Sequence, residues 1–345
     1  MIYLDNAASA PVDPEVLTAY RSYAERYFAN QEALHSLAYE IRGKLQDAAA
    51  EVSQLLTGEA GHYVYWSSSA TALFNVVCHY PGFDRARIVT SELEHPALTA
   101  TLKRIGAGGR TPLIALRHVQ SETGQVNDLT AAANTRGDAV FLADTVQSVG
   151  KLEIPWKQAK LDLVFCSGHK IGAPGGAALV CRNSAVRDFL STARSSDYLD
   201  GRPEPALCLA LTDALKKACR DRDEHAGQAA QLKTKVIEAL AGWMLPNGRK
   251  IRLTVPPEQS SPFIVHLVVS GYQSAVLVRM LSRHGIHVGA GSACQAESNR
   301  PSPALLALGF SREDAYAGLR LSFWHNTEGQ VNEFLRAFRE VVKEY

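Results

Sequence analysis

Apolar and polar residues change their spacing several times along the chain, and the spacing predicts its secondary structure. Between residues 36 and 56 apolar side chains recur every three or four positions, as in Ile41, Leu45 and Val52, which predicts an amphipathic helix. From residue 62 onward, short apolar runs alternate with polar turns and with stretches of helical spacing. Such runs are typical of strands buried on both faces of a parallel sheet. The pattern therefore predicts an α/β fold.

The apolar runs of this region each end in polar or small residues. They cover residues 62–66, 87–90, 112–119, 139–143, 161–166 and 177–181. Open α/β sheets bind their ligands beyond the carboxyl ends of the strands. We therefore expect the functional groups to lie in the turns that follow these runs.

A second, smaller α+β domain is predicted near the C-terminus. After a helical region from 185 to 242, strand-like runs at 251–255 and 262–269 alternate with helical stretches, and a final helix begins at Thr327. We expect a large domain over residues 14–248. Residues 1–13 and 249–345 would form the small domain.

Composition narrows the class of protein. The 345 residues carry a formal net charge of +1, which gives no electrostatic reason to expect direct binding to nucleic acid or to a membrane. No apolar run approaches the ~20 residues of a membrane span, and the N-terminus does not resemble a signal peptide. The six cysteines show no CxxC spacing, so we expect a cytoplasmic enzyme with free thiols and no metal site.

Two strand ends carry the strongest chemical signal. The run ending at Cys166 leads into Ser167-Gly-His169-Lys170, and the run ending at Ala143 leads into Asp144 and Gln147. Burial favours the free amine of a lysine, which can form a Schiff base with an aldehyde. Pyridoxal 5'-phosphate needs such a lysine and a carboxylate for its pyridinium nitrogen. Either residue alone could be an ordinary strand-end charge, whereas the pair indicates this cofactor.

Three further sites are candidates for a functional role. The small residues before Ala70 and Thr71 suit a phosphate at a helix N-terminus, although serines also simply cap helices. His95 precedes a helix that begins at Pro96. Cys294 lies in a stretch rich in glycine, serine and alanine, which suggests an exposed loop and a reactive thiol.

In this order the motifs resemble those of the cysteine desulfurases, which are class V aminotransferases with the fold-type-I pyridoxal phosphate architecture. The resemblance extends over nearly the whole chain, from Tyr3-Leu-Asp-Asn to Leu319-Arg-Leu-Ser-Phe. It implies a mainly parallel, seven-stranded type of sheet with helices on both faces, and a homodimer.

The resemblance also implies roles for individual residues. It implies three catalytic residues: Lys170 as the Schiff-base lysine, His95 as the ring-stacking histidine and Cys294 as the sulfur acceptor. It implies two substrate-binding residues, namely Arg320, which would hold the substrate's carboxylate, and Asn30. The implied cofactor-binding set consists of Ala70, Thr71, His95, Ser121, Asp144, Gln147, Ser167, His169, Lys170 and Arg202.

The sequence departs from the family pattern at several of these positions. Ser69 and Ala72 stand where glycine and glutamate are usual, and Ser121 stands where an asparagine usually touches the cofactor. A shortened stretch around Arg202 replaces the family's glycine-rich segment. Arg202 could reach the cofactor phosphate of a neighbouring subunit, or it could be an ordinary surface residue.

The implied reaction converts L-cysteine to L-alanine and transfers sulfur to Cys294 as a persulfide for delivery to an acceptor protein. A selenocysteine lyase, another class V lyase or aminotransferase, and a non-catalytic scaffold of the same fold are alternatives. The acceptor is open among iron–sulfur assembly, tRNA thiolation and DNA phosphorothioation.

Overall fold

The computed structural model describes residues 1–84, 86–105, 112–193, 202–291 and 300–345. The helices in these residues are α1 (Pro14–Arg26), α2 (Ser36–Thr57), α3 (Ala70–Cys78), α4 (Pro96–Ile105), α5 (Leu129–Ala133), α6 (Ser184–Ala193), α7 (Pro205–Arg220), α8 (Arg222–Leu240), α9 (Ser274–Arg283), α10 (Pro303–Ala307) and α11 (Glu328–Glu344). The strands are β1 (Ile2–Tyr3), β2 (Tyr63–Ser67), β3 (Arg87–Thr90), β4 (Pro112–Arg117), β5 (Val140–Asp144), β6 (Leu163–Ser167), β7 (Ala177–Cys181), β8 (Ile251–Leu253), β9 (Ile264–Val269), β10 (Ile286–His287) and β11 (Gly318–Ser322).

The chain divides into two compact units. We call residues 11–118 and 127–221 the sheet unit, and residues 1–10, 119–126 and 222–345 the terminal unit. The predicted domain bounds differ from this division at three places: residues 119–126 and 222–248 group with the terminal unit, and residues 11–13 group with the sheet unit. A reason for the first difference is visible in the turn at 120–124, where Ser261 N donates to Gly124 O at 2.8 Å.

The sheet unit is built on a six-stranded sheet with the order β2-β7-β6-β5-β4-β3. Strands β3, β4, β5 and β6 are mutually parallel, and β7 runs antiparallel to both β6 and β2. Five of the six strands thus point the same way. The predicted α/β class with a mainly parallel sheet is confirmed, and the described residues contain six of the seven expected strands.

Burial on both faces explains the unbroken apolar runs. Every residue of β5, β6 and β7 is buried. On one face, Leu142, Phe165 and Leu179 pack in a common core with residues of α3, α4 and α6. Strands covered on both sides need apolar residues at successive positions rather than at every second one.

Local signals in the sequence set the ends of several helices. Asp13 Oδ1 accepts a hydrogen bond from Glu15 N at 2.9 Å and thereby caps α1. Helix α2 ends at Gly58, whose φ of 74° is the left-handed conformation that glycine adopts readily. The long helix expected from Ala206 to Leu240 is divided at Asp221, between α7 and α8.

The terminal unit combines a three-stranded antiparallel sheet with four helices of the described chain. Its strand order is β11-β9-β8, and β1 pairs with β10 in a separate parallel pair. Helix α11 begins with a capping box in which Thr327 and Gln330 satisfy each other's backbone N–H groups. The helices in the described residues are all too short or too polar to cross a membrane.

Asp162 is a buried charge that stabilises the start of β6. Its Oδ2 accepts hydrogen bonds from Arg136 Nη2 at 2.7 Å and from Phe141 N at 2.9 Å. We predict that Asp162→Ala lowers the free energy of unfolding by about 3 kcal/mol, because it leaves a buried N–H and a partly buried arginine without their acceptor. Chemical denaturation measures this change.

Asp188→Ala is the matched control. Asp188 pairs with Arg187 at 2.8 Å on an exposed face of α6, so its removal should change stability by less than about 0.5 kcal/mol. Equal losses in the two variants would contradict the assigned role of Asp162.

Candidate active site

The carboxyl ends of β5 and β6 form the edge at which the predicted groups meet. The two strands are parallel neighbours, so Asp144 and Ser167, the last residues of each, lie at the same edge of the sheet. Both are buried. Thr145 joins the two strand ends, since its Oγ1 donates to Phe165 O at 2.7 Å and accepts from Phe165 N at 3.1 Å. Asp144 Oδ1 accepts a hydrogen bond from Val146 N at 3.1 Å.

Lys170 ends a 3₁₀ turn that follows β6 directly. The turn covers Gly168–Lys170, and the lysine is half-buried. A side chain at Gly168 would place its Cβ 2.1 Å from Gly175 O, so only glycine fits there. The hydrogen bond from Gly168 N to Gly176 O, at 2.9 Å, holds the turn against the next loop. The backbone thereby fixes the point from which the lysine extends.

His95 lies within electrostatic range of Asp144 and Lys170, two of the predicted cofactor-binding residues. Burial lowers its pKa, Asp144 raises it, and Arg117 and Lys170 lower it further, with a net decrease. The imidazole is therefore largely neutral at pH 7. Its Nδ1 accepts a hydrogen bond from Ala97 N at 3.1 Å, which leaves the proton of the neutral ring on Nε2.

A buried pair, Glu94 and Arg117, lies beside these groups. Arg117 is opposite Asp144 in the β4–β5 register, and its Nε is 3.7 Å from Glu94 Oε2. Burial raises the pKa of Glu94 to about 7, although Arg117 and the hydroxyl of Ser91 act in the opposite direction. The carboxyl is thus close to half-protonated at neutral pH.

Lys151 brings a second amine close to Lys170. It lies in the turn after β5 and only 3% of it is exposed. Burial, with a smaller contribution from the charge of Lys170, lowers the pKa of Lys151 to about 7. Two ammonium groups in one apolar region disfavour each other's charged form.

Groups suited to a phosphate surround the same edge. Helix α3 begins at Ala70 and Thr71 directly after β2, with Ser69 as its cap through a hydrogen bond from Ala72 N at 3.2 Å. The first-turn N–H groups of a helix attract anions. Ser167 ends β6, which is separated from β2 by β7 in the sheet, and its Oγ is 2.9 Å from Nδ1 of His169 in the following turn.

The remaining predicted residues of the sheet unit lie in different surroundings. Gln147 is buried in the turn after β5. Asn30 is exposed, and its side chain accepts a hydrogen bond from Glu32 N at 3.0 Å within its own loop. Arg202 is also exposed and precedes α7.

Arg320 and Ser121 are the two predicted residues that the structure describes in the terminal unit. Arg320, in the middle of β11, is 1% exposed, and its Nη1 donates to Ser121 O at 2.8 Å. Ser121 itself is half-buried. Cys294 lies outside the described residues, so its predicted role stays a prediction.

Sequence reasoning missed the neighbouring residues Arg117, Thr145 and Lys151. Arg117 carried a signal, because a charged residue inside an apolar run requires a buried partner. Lys151 and Thr145 carried none, since both are ordinary residues of polar turns until the fold places them against Lys170 and β6.

Comparison with known proteins identifies the family. The model of the family described as aminotransferase class-V matches residues 2–109 and 101–334. The chain belongs to this family. The match extends over both compact units, so neither is an unrelated addition.

Curated relatives of similar length are named as cysteine desulfurases. The cysteine desulfurase of Trichormus azollae is 25% identical, with 99% of this chain and 93% of that protein aligned. The putative cysteine desulfurase NifS of Halalkalibacterium halodurans is 24% identical, with coverage of 99% and 98%. A cysteine desulfurase of Gluconacetobacter diazotrophicus is 27% identical, with coverage of 99% and 93%.

Solved structures share the fold. A NifS-like protein superposes with a TM-score of 0.82 at 20% identity, over the full length of both chains. The structure described as SspA in complex with cysteine gives 0.71 at 23% identity, covering 94% of this chain and 99% of that one. The predicted fold-type-I class is confirmed by this likeness.

We predict a specific pH dependence of stability from Lys151. Its folded pKa, about 7, is below its ordinary value of 10.5, so between these values the unfolded chain binds more protons than the folded one. Stability should then rise with pH above 7, by up to about 1.4 kcal/mol per pH unit from this group. Lys151→Met should remove that rise, as measured by denaturation at pH 7 and pH 9.

Lys103→Met, at an exposed position of α4, is the matched control and should keep the pH dependence of the wild type. If Lys151→Met and wild type respond equally to pH, Lys151 is already charged or already neutral throughout the range, and the prediction is wrong.

Proposed function

We propose that this protein is a pyridoxal-phosphate-dependent cysteine desulfurase. The observation that carries the proposal is the cluster at the carboxyl edge of the central sheet. There the charges of Lys170 and Asp144 both act on His95, and Asp144 and Ser167 end adjacent parallel strands. Membership of the class V aminotransferase family and the names of the relatives support it.

The donor set at this edge fits the cofactor. Lys170 supplies an amine for its aldehyde, and the buried carboxylate of Asp144 would accept a hydrogen bond from its ring nitrogen. The first turn of α3, with Ser167 and His169, would hold its phosphate. When bound, the cofactor withdraws electrons from the substrate's α-carbon.

Lys170 and His95 would each act on the substrate's hydrogen atoms or polar groups during the reaction. Lys170 would take the α-proton, because its half-buried side chain extends from the turn directly after β6, at the same edge of the sheet as Asp144. His95, neutral and with its proton on Nε2, would donate a hydrogen bond from Nε2 to the substrate.

Arg320 and Cys294 would act on the substrate's two ends. The guanidinium receives the α-carboxylate. The thiolate of Cys294 would attack the substrate sulfur as the Cβ–S bond breaks, and the electron pair of that bond would pass to Cβ, which is then protonated. L-Cysteine and a thiol become L-alanine and a persulfide, with no external oxidant or reductant.

The same frame could serve a selenocysteine lyase or another class V lyase or aminotransferase. Those enzymes would share Lys170 and Asp144 but need no attacking thiol, so the role of Cys294 decides between them. A scaffold that had lost catalysis would bind no cofactor and show no yellow colour.

Assembly and delivery are part of the proposal. We infer a homodimer, in which exposed Arg202 would reach the partner subunit's cofactor phosphate. The persulfide would pass to an acceptor protein, and the expected location in the cytoplasm stays a prediction.

The first test is chemical. Wild-type protein incubated with L-cysteine should release alanine and, with a reductant, sulfide. Lys170→Ala should lower alanine formation at least about a thousand-fold, because it removes both the cofactor linkage and the proton acceptor. Lys157→Ala, which removes an exposed lysine paired with Glu59, is the control and should keep full activity. A Lys170→Ala protein that keeps its yellow, borohydride-reducible chromophore would contradict the assignment.

The second test concerns the sulfur acceptor. Cys294→Ser should still bind cofactor and L-cysteine, yet lose nearly all turnover and carry no additional sulfur by mass spectrometry, since serine cannot form a persulfide. Cys78→Ser is the control. Burial raises the pKa of the Cys78 thiol to about 12, so it is no nucleophile, and its replacement should affect stability more than turnover. Full activity of Cys294→Ser would favour a lyase that expels sulfur directly.

A further inference from the structure

Arg320 is a buried charge whose partners all lie in the terminal unit. It stands in the middle of β11, opposite His266 of β9, and only 1% of the residue is exposed. A buried guanidinium without an anion is costly, so a partner must compensate its charge whenever no substrate is bound.

Asp5 supplies that compensation. Its Oδ1 accepts a hydrogen bond from Arg320 Nη2 at 2.5 Å, a short charge-assisted contact. The backbone of Asp5 is itself fixed, because it forms a parallel bridge with Ser322, two residues beyond Arg320 on the same strand. The carboxylate is therefore held beside the guanidinium by the sheet and not only by the ion pair.

The rest of the guanidinium is only partly satisfied. Nη1 donates to Ser121 O at 2.8 Å, whereas Nε is buried without a hydrogen-bond partner. An arginine has five N–H groups, and these contacts use two of them. A buried donor without an acceptor costs free energy that a ligand oxygen would recover.

Gly289 makes room for this arrangement. Its backbone pairs with that of Arg320 through hydrogen bonds of 2.8 and 3.0 Å. A Cβ at Gly289 would lie 2.8 Å from both Arg320 Nη2 and Asp5 Oδ1, and 2.9 Å from Arg320 Nε. The guanidinium and the carboxylate thus lie directly over the glycine, and any side chain there would displace them.

These three residues line a cavity in the terminal unit. The cavity has a volume of about 860 Å³, and Asp5, Gly289 and Arg320 are among its lining residues. A carboxylate entering it would meet an arginine that is already oriented and still has donors to offer.

We propose that Asp5 is a positioning residue that, together with Gly289, holds the Arg320 guanidinium ready for the α-carboxylate of the substrate. This inference rests on the proposed function. The affinity of arginine for a carboxylate depends on a fixed fork of N–H groups, so orientation before binding strengthens it. Asp5 partly neutralises Arg320, but the unused donors keep the site open to a second carboxylate.

A pair of ligands that differ only in the carboxylate tests the proposal. L-Alanine and ethylamine share the amine and the methyl group, and each is titrated against the cofactor-loaded protein while its absorbance is followed. Asp5→Ala should weaken L-alanine binding about ten-fold and leave ethylamine binding unchanged. Asp5→Asn, which keeps an acceptor oxygen, should fall between Asp5→Ala and wild type. The KM for L-cysteine should rise in the same order, with kcat changing less than KM.

Gly289→Ala gives a second, independent approach, and it should show the same carboxylate-selective loss. Gly329→Ala is its control, because a Cβ there would lie 3.8 Å from Thr327 Oγ1 in ordinary contact. Thermal melting confirms that each variant is folded at the titration temperature.

The outcomes separate this inference from the proposed function. If L-alanine and ethylamine binding weaken equally, Asp5 has only a structural role. If Asp5→Asn binds L-alanine more tightly than wild type, Asp5 competes with the substrate. Either result overturns the inference alone. A wild-type protein whose absorbance does not respond to L-alanine would overturn the proposed function, and this inference with it.

Discussion

Burial of charge at the carboxyl edge of the central sheet is the constraint on which the site depends. Strands β5 and β6 are apolar throughout and covered on both faces, yet each ends in a polar group that has little access to water. Charged groups in such surroundings must pair or shift their pKa values. Both responses occur: Glu94 lies beside Arg117, and the pKa values of Glu94 and Lys151 both move to about 7.

This constraint also relates the site to the proposed chemistry. The edge contains a neutral His95 with a defined tautomer, and close to Lys170 it contains Lys151, whose pKa is lowered to about 7. Burial at this edge of the sheet produces both properties, because it disfavours the charged forms of lysine and histidine. Burial of these groups therefore costs stability while it gives them their reactive forms. Asp162 is a buried charge with a structural role, since it pairs with Arg136 and accepts a hydrogen bond from Phe141 N.

The terminal unit meets the same constraint in another way. Arg320 is paired with Asp5, which compensates its charge. His266, buried at the neighbouring strand, instead has its pKa lowered to about 3 by burial and by the nearby arginine, and it remains neutral. One buried cation is thus paired and the adjacent titratable group is uncharged, which avoids two positive charges in one apolar region.

The sequence by itself determined the α/β class, the strands that lead into Asp144 and Ser167, and the start of the last helix near Thr327. These follow from local spacing and from residue chemistry, which the chain displays directly. Only the tertiary structure decided that β7 runs against its neighbours, that residues 119–126 join the terminal unit, and that Arg117, Lys151 and Asp5 lie beside Asp144, Lys170 and Arg320 respectively. The reason is physical: these features depend on contacts between residues far apart in the chain, such as Asp5 with Arg320, and on the loss of water around them. No local pattern records either one.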